Sequence, residues 1–252
     1  LLMAKNIQVR ATIIIIGNEI LSGRTKDINT STIATWLNKL GVRVQEVRVI
    51  PDIEEVIVKT INEVRKKNTY VFTTGGIGPT HDDITAVSIS KAFRLKYEIN
   101  KEAFKILEAY YKPGEFNEGR QKMAWTPANA KLILNPTSGA PGFIVENVFC
   151  LPGVPSILKS MLGGLKNKIS GGKPIISHTI NLRTVESEIA KSLTLVQDNN
   201  KDVEIGSYPF FKANKLGVAV VIRSVDQSKI DICNSQILDF ANQKNIRVIN
   251  NE

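Results

Sequence analysis

The chain has 252 residues, 42% of them hydrophobic and 23% charged, and its 33 Lys and Arg against 24 Asp and Glu give a formal net charge of +9. That is an ordinary soluble composition, long enough for one large or two smaller domains with a full core, and its positive balance suits anionic ligands. A nucleic-acid partner is not expected, because no basic stripe with interleaved aromatics occurs, and a membrane partner is not expected, because the apolar run from Ala11 to Ile16 is far too short to span a bilayer.

In chain order, Arg10–Ile16 reads as a continuous β-branched strand covered on both faces and ending at Gly17. A turn follows, and residues 30–40 carry Ile33, Ala34, Trp36, Leu37 and Leu40 as a helical stripe closed by Gly41. Residues 42–50 read as a second strand, ended by Pro51-Asp52. Asp52 stands where an N-cap belongs, with Glu55 three residues on and Val56, Ile57, Ile61 and Val64 as the apolar face of the next helix. Arg65-Lys66-Lys67 then falls at a helix end, where cations meet the macrodipole favourably. The strand Tyr70–Thr74 comes next, a glycine loop follows, and a helical pattern resumes at Asp83 or Ile84.

Beyond it, residues 86–93 and 101–111 look helical and Lys112-Pro113-Gly114 breaks the pattern. Residues 121–125 read as the end of a short helix. Strands are expected over 131–134, 143–145 and 148–151, and a helix over 156–165 after Pro152-Gly153-Val154-Pro155. Ser170-Gly171-Gly172-Lys173-Pro174 has linker composition. The remainder reads as strand 175–182, helix 187–196, strands 203–208 and 216–225, helix 228–243 and a last strand over 246–249. The expected fold is therefore α/β, a three-layer, doubly wound, mostly parallel sheet over 1–170, followed by a small α+β split-βαβ domain over 171–252.

In doubly wound sheets ligands bind outside the carboxyl ends of the strands. The loops after Gly17, Asp52 and Gly75 all leave such ends, so Glu19, Asp52, Asp82 and Asp83 should meet in one cleft. Glycine at 75, 76 and 78 lets bare amides approach a ligand, and the helix N-terminus beyond favours an anion. Asp82 and Asp83 would repel a bare phosphate, yet could hold a divalent cation bridging to it. An Asp cap on an ordinary strand-to-helix turn accounts for the same residues without a ligand.

Several chemistries lack their residues. No Lys-Ser or Lys-Thr follows the glycines, so the loop is not a P-loop, and its spacing is not that of the dinucleotide fingerprint. His81 and His178 are too few and too far apart for zinc, and no Gly-x-Ser-x-Gly elbow occurs. Ser22 reads as a turn or phosphate-contact hydroxyl rather than a nucleophile. Cys150 and Cys233 are the only cysteines and sit in apolar surroundings, as buried free thiols of a reducing cytoplasm would. No signal peptide is recognised, so the sequon at Asn29 is expected to carry no glycan.

Taken together, Gly17-x-Glu19-Ile20-Leu21-x-Gly23, Asp27-x-Asn29, Pro51-Asp52, Thr73-Thr74-Gly75-Gly76-x-Gly78-Pro79-Thr80-x-Asp82-Asp83-x-Thr85, Ala140-Pro141-Gly142-Phe143 and Leu151-Pro152-Gly153-Val154-Pro155 resemble the molybdopterin-binding (MoCF biosynthesis) domain. The closer resemblance is to the amino-terminal part of the CinA-like (competence/damage-inducible) family. Ile205-Gly206-Ser207-Tyr208-Pro209 is similar to CinA-like and FAD-synthase-associated forms of that domain. The resemblance covers essentially the whole chain in order.

It implies that Gly75, Gly76, Gly78, Pro79 and Thr80, with Gly17, Ser22, Asn29, Gly142, Pro152 and Gly153, bind the phosphate or substrate. It also implies that Asp83, Asp82 and Asp52 serve catalysis, with Asp82, Asp83 and Glu19 on a divalent metal, magnesium or cobalt, with potassium as a further ion. The implied ligand is molybdopterin or a nucleotide diphosphate, and the implied activity is metal-dependent cleavage of the pyrophosphate in ADP-ribose or a related nucleotide. A homo-oligomer is implied as well. Two departures stand out. Asn18 occupies a position where the family usually has Asp, and the chain ends before the nicotinamide-nucleotide amidase domain of full-length relatives. The alternative is a module that binds pterin or nucleotide without turnover.

Overall fold

The computed structural model describes residues 8–212 and 215–249. The described residues divide into two compact units, one up to Gly172 and one from Lys173.

In the first unit, β1 (Arg10–Ile16), β2 (Arg43–Ile50) and β3 (Tyr70–Thr74) alternate with α1 (Asn18–Leu21), α2 (Asn29–Lys39) and α3 (Glu54–Val64). Next come α4 (Thr85–Phe93), β4 (Tyr97–Ile99), α5 (Lys101–Tyr110), α6 (Glu118–Lys122), β5 (Trp125–Pro127), β6 (Lys131–Ile133), β7 (Gly142–Val145), β8 (Val148–Leu151) and α7 (Pro155–Leu162). The main sheet runs β2-β1-β3-β8-β7-β6; the first four strands are mutually parallel, β7 is antiparallel to β8, and β6 is antiparallel to β7. Every β1 residue after Arg10 is buried, because successive isoleucines point to opposite layers. Ile13 and Ile15 join Ile33 and Leu37 of α2 and Leu158 and Met161 of α7, whereas Ile14 and Ile16 join Ile57 and Ile61 of α3 and Ile89 of α4. Each such side chain contributes about 1.5–3 kcal/mol by leaving water, so the two layers hold β1 between them, one strand in from the β2 edge, and its carboxyl end stays fixed.

Two local expectations are overturned here. Asp52 does not cap α3: Ile53 occupies the cap position and makes no side-chain cap bond. The Asp52 carboxylate instead accepts a bond from another loop, described below. Trp125 does not end a helix either. Helix α6 stops at Lys122, Ala124 is buried with Ala103 and Leu107 in a small separate core, and Trp125 opens β5, which pairs with β4 through Ile99↔Trp125. The β4-α5-α6-β5 stretch thus forms an arm with its own core, beside the glycine loop.

The second unit contains β9 (Ile176–Leu182), α8 (Glu186–Asn199), β10 (Glu204–Lys212), β11 (Lys215–Ser224) and α9 (Gln227–Gln243). Its sheet runs β10-β11-β9 with both pairings antiparallel, so β9 and β10 run the same way on either side of β11, the split βαβ arrangement. The strand expected over 246–249 reduces to a single bridge, Leu182↔Val248. The chain leaves α9 through a left-handed Asn245 and the Ile246 amide bonds back to Ala241, which leaves too short an extended stretch for a ladder.

Candidate functional site at the carboxyl ends of the parallel strands

The four parallel strands end side by side, and backbone bonds tie their loops together. Gly17 N–H donates to the Ile50 carbonyl (3.2 Å) and Gly75 N–H to the Leu151 carbonyl (3.0 Å). Asn29, buried at the start of α2, donates through Nδ2 to Thr74 Oγ1 (2.9 Å) and to the Gly153 carbonyl (2.8 Å), and Thr74 Oγ1 donates to the Pro152 carbonyl (3.0 Å). Asn29, Pro152 and Gly153 are therefore a brace between α2, β3 and β8. Asp27 Oδ1 completes it by accepting from the amides of Asn29 (2.9 Å) and Thr30 (3.3 Å). Its place two residues before Asn29 was the signal for that role.

The glycine turn is held from below. Gly75 has φ +103° and Gly76 φ +68°, and a Cβ on Gly75 would lie 2.1 Å from the Ile16 carbonyl oxygen. No residue with a side chain fits there. Thr85 Oγ1 donates to the Gly75 carbonyl (2.9 Å) and Thr85 N–H to the Gly76 carbonyl (2.9 Å). Not all the loop amides are bare, as the sequence had suggested. Gly75 N–H is used by Leu151 and Thr80 N–H by Asp83, so Gly76, Ile77 and Gly78 carry the amides that the described residues leave unengaged. Gly142 answers a packing need, since a Cβ there would meet the Cys150 carbonyl at 2.4 Å.

The carboxylates do gather at this end. Asp52 Oδ2 accepts from Asn18 N–H at 2.9 Å. Burial pushes the Asp52 carboxyl above its ordinary range, the Asn18 bond opposes this, and the charges of Glu19, Asp82 and Asp83 add to the rise. Glu19 curls back over Gly17, where a Cβ would lie 2.6 Å from its oxygens, and Ser22 Oγ donates to the Glu19 carbonyl (3.3 Å). Asp83 Oδ2 accepts from Thr80 N–H (2.8 Å) and Thr80 Oγ1 (2.5 Å), while Asp82 Oδ1 lies 2.6 Å from the same hydroxyl, which holds the Asp82 carboxyl below the usual range. Pro79 is exposed at the crown.

Among the described residues no three acidic, histidine or cysteine side chains stand close enough to hold a metal ion, so Asp82, Asp83 and Glu19 are no ready-made cage. The donor set fits a different use. A hard cation at a phosphate site takes one or two carboxylates and completes its shell with ligand oxygens and water, and adjacent Asp82 and Asp83 beside unengaged amides match that pattern.

Sequence reasoning missed Lys122 and Trp125, because the arm that carries them has no strong periodicity. Lys122 Nζ donates to the Thr80 carbonyl. Lys122, Met123, Trp125 and Tyr97 face Gly76, Gly78 and Asp83 across a narrow slot of about 10 Å³. A second cavity of about 500 Å³ lies by the β7–β8 turn, lined by Leu95, Asn129, Lys131, Glu146 and Lys168, at the opposite end of the sheet, and none of the expected site residues lines it. Among the described residues no helix is long and apolar enough to cross a membrane.

A doubly wound α/β domain with its cleft at the carboxyl ends of parallel strands is the class this architecture defines. Residues 12–170 match the family described as "Probable molybdopterin binding domain", and residues 174–248 the one described as "FAD synthase, middle domain". The chain belongs to the molybdopterin-binding-domain family, in its CinA-like form. It is 34% identical over 233 residues to a protein of Archaeoglobus fulgidus, covering 92% of this chain and 98% of that one. A protein of Pyrobaculum calidifontis is 35% identical over 210 residues, 79% of this chain and 80% of its own. The crystal structure of the protein CinA of unknown function from Thermoplasma acidophilum is similar with a TM-score of 0.60 and 30% identity, covering 63% of this chain and 96% of that chain.

Proposed function

We propose that the chain binds a nucleotide diphosphate at the glycine loop and hydrolyses its pyrophosphate bond with the help of a divalent cation, ADP-ribose being the substrate type. The observation that carries this reading is that Asp83 shares one slot with the unengaged amides of Gly76 to Gly78 and meets Asp82 at the Thr80 hydroxyl, while the charges of Glu19, Asp82 and Asp83 add to the raised proton affinity that burial gives Asp52. Backbone amides at that turn bind and orient a phosphate. Asp82 and Asp83, with Glu19 as a further acidic group, would hold the cation, which supplies charge neutralisation and a more acidic water. Asp52 has the raised proton affinity suited to taking a proton from the attacking water as its oxygen bonds to phosphorus and the bridging P–O bond breaks. The products of ADP-ribose would be AMP and ribose 5-phosphate, so atoms balance with one water consumed.

Asn18 favours a second reading, a pterin- or nucleotide-binding module without turnover, because it lacks the carboxylate usual at that place in the family. Incubation of the full chain with ADP-ribose and magnesium or cobalt, with chromatographic detection of AMP, separates the two. Asp83→Asn keeps an acceptor for Thr80 and should lower turnover more than it weakens ADP-ribose binding. Unchanged turnover in Asp83→Asn would remove Asp83 from the chemistry, and binding without any AMP in the parent chain would leave the module reading.

A further inference from the structure

Helix α6 is tied at its start to the segment before it. Asn117 Oδ1 accepts from Arg120 N–H (3.0 Å), Gln121 Nε2 donates to the Phe116 carbonyl (3.0 Å), and the Arg120 guanidinium sits 4.3 Å above the Tyr111 ring. These contacts deliver Lys122 to the crown of the glycine loop, where its ammonium meets the Thr80 carbonyl. It lines the same slot as Gly76, Ile77, Gly78 and Asp83. The slot's volume of about 10 Å³ has room for a water and not for a phosphate, so a diphosphate would lie across its mouth. An ammonium has three donors, and Thr80 takes one. The loop itself presents Asp82 and Asp83, two negative charges that oppose an incoming diphosphate.

We propose that Lys122 is the phosphate-recognition residue of this site, the cation that contacts the diphosphate over the Gly76–Gly78 amides and offsets the loop's own carboxylates. The inference rests on the reading of the site as a diphosphate site. A charge-assisted bond to a phosphate oxygen is stronger than the present bond to a neutral carbonyl, so the ammonium turns from Thr80 to the ligand when one arrives. Because the arm comes from outside the parallel strands, the site draws on separate segments: 118–125 supplies the cation, and the strand ends supply the amides and the carboxylates. Trp125 stands in the same slot, with its ring centroid 5.2 Å from that of Tyr97, and reports the event.

The test uses the full chain, with ADP-ribose and inorganic pyrophosphate as separate probes in the presence of magnesium, followed by calorimetry and tryptophan fluorescence. Lys122→Met should weaken both probes about tenfold, the loss of one charged hydrogen bond. It should also flatten the salt dependence of binding and raise KM more than it lowers kcat. Lys122→Arg should recover most of the affinity, which a merely structural role would not require. In the parent chain the fluorescence of Trp125 should change on binding, and Trp125→Phe should abolish that change while Trp36 still emits. Equal affinity of the parent chain and Lys122→Met for both probes would overturn the assignment and leave the nucleotide reading standing. Lys122-dependent binding of pyrophosphate without binding of ADP-ribose would do the reverse. Binding of neither probe to the parent chain would end both.

Discussion

The Asp52 carboxylate at the end of β2 accepts the backbone N–H of Asn18 at the end of β1, 34 residues earlier, at 2.9 Å. One oxygen therefore closes two strand ends onto each other and turns the acid to the loop after β1 instead of its own helix. Burial and three neighbouring carboxylates make that position electrostatically unfavourable for the ion.

The sign of the consequence is fixed. Asp52 holds its proton in the folded chain to a higher pH than at its ordinary value of 3.8. Between the unfolded and folded values the folded chain binds more protons, so stability contributed by Asp52 falls as pH rises through that window and is constant above it. Asp52→Asn keeps an acceptor for Asn18 and has no such titration. The melting temperature of the variant relative to the parent should rise from acid to neutral pH, and a pH-independent difference would show that Asp52 is not strained by its neighbours.

Asn18→Asp adds a carboxylate beside Asp52 and Glu19. Magnesium or cobalt binding by calorimetry should tighten by roughly 0.5–1 kcal/mol, about two- to fivefold, an effect that fades in high salt. Unchanged cation affinity would place position 18 outside the ion's reach.

Gly75→Ala drives a methyl group to 2.1 Å from the Ile16 carbonyl at φ +103°, whereas Gly23→Ala, at φ +74°, meets nothing within 4 Å. Gly23→Ala should cost only the left-handed conformation, about 1–2 kcal/mol. Gly75→Ala adds a backbone clash and should cost about 3 kcal/mol or more by urea unfolding. Similar costs at the two positions would mean that the turn gives way without resistance.

Asn29→Ala strips two partners from the brace, leaving the Gly153 carbonyl and Thr74 hydroxyl short of a donor. About 1–3 kcal/mol of stability should go with it. Asn29→Asp should be worse, because a buried carboxylate would face the Gly153 carbonyl oxygen. Urea midpoints of the three chains check the order.

The alternation of β-branched runs and amphipathic stripes determined the first unit's parallel sheet, and the isoleucines of β1 alone showed that it is covered on both faces. The chain ends of β1, β2 and β3 and the glycine turn were legible for the same reason: local pattern and Gly or Pro punctuation act over a few residues. What Asp52 does with its carboxylate was not legible, since a helix cap and a bond to Asn18 ask for the same side chain and only the adjacency of β1 and β2 chooses between them. The arm lay further out of reach. Strands β4 and β5 are three residues each, too short to show a period. Their pairing, and with it the placing of Lys122 and Trp125 against the glycine loop, exists only once Ala103, Leu107 and Ala124 bury each other. Tertiary packing decided that half of the site, because contacts between residues distant in sequence leave no mark on the local pattern.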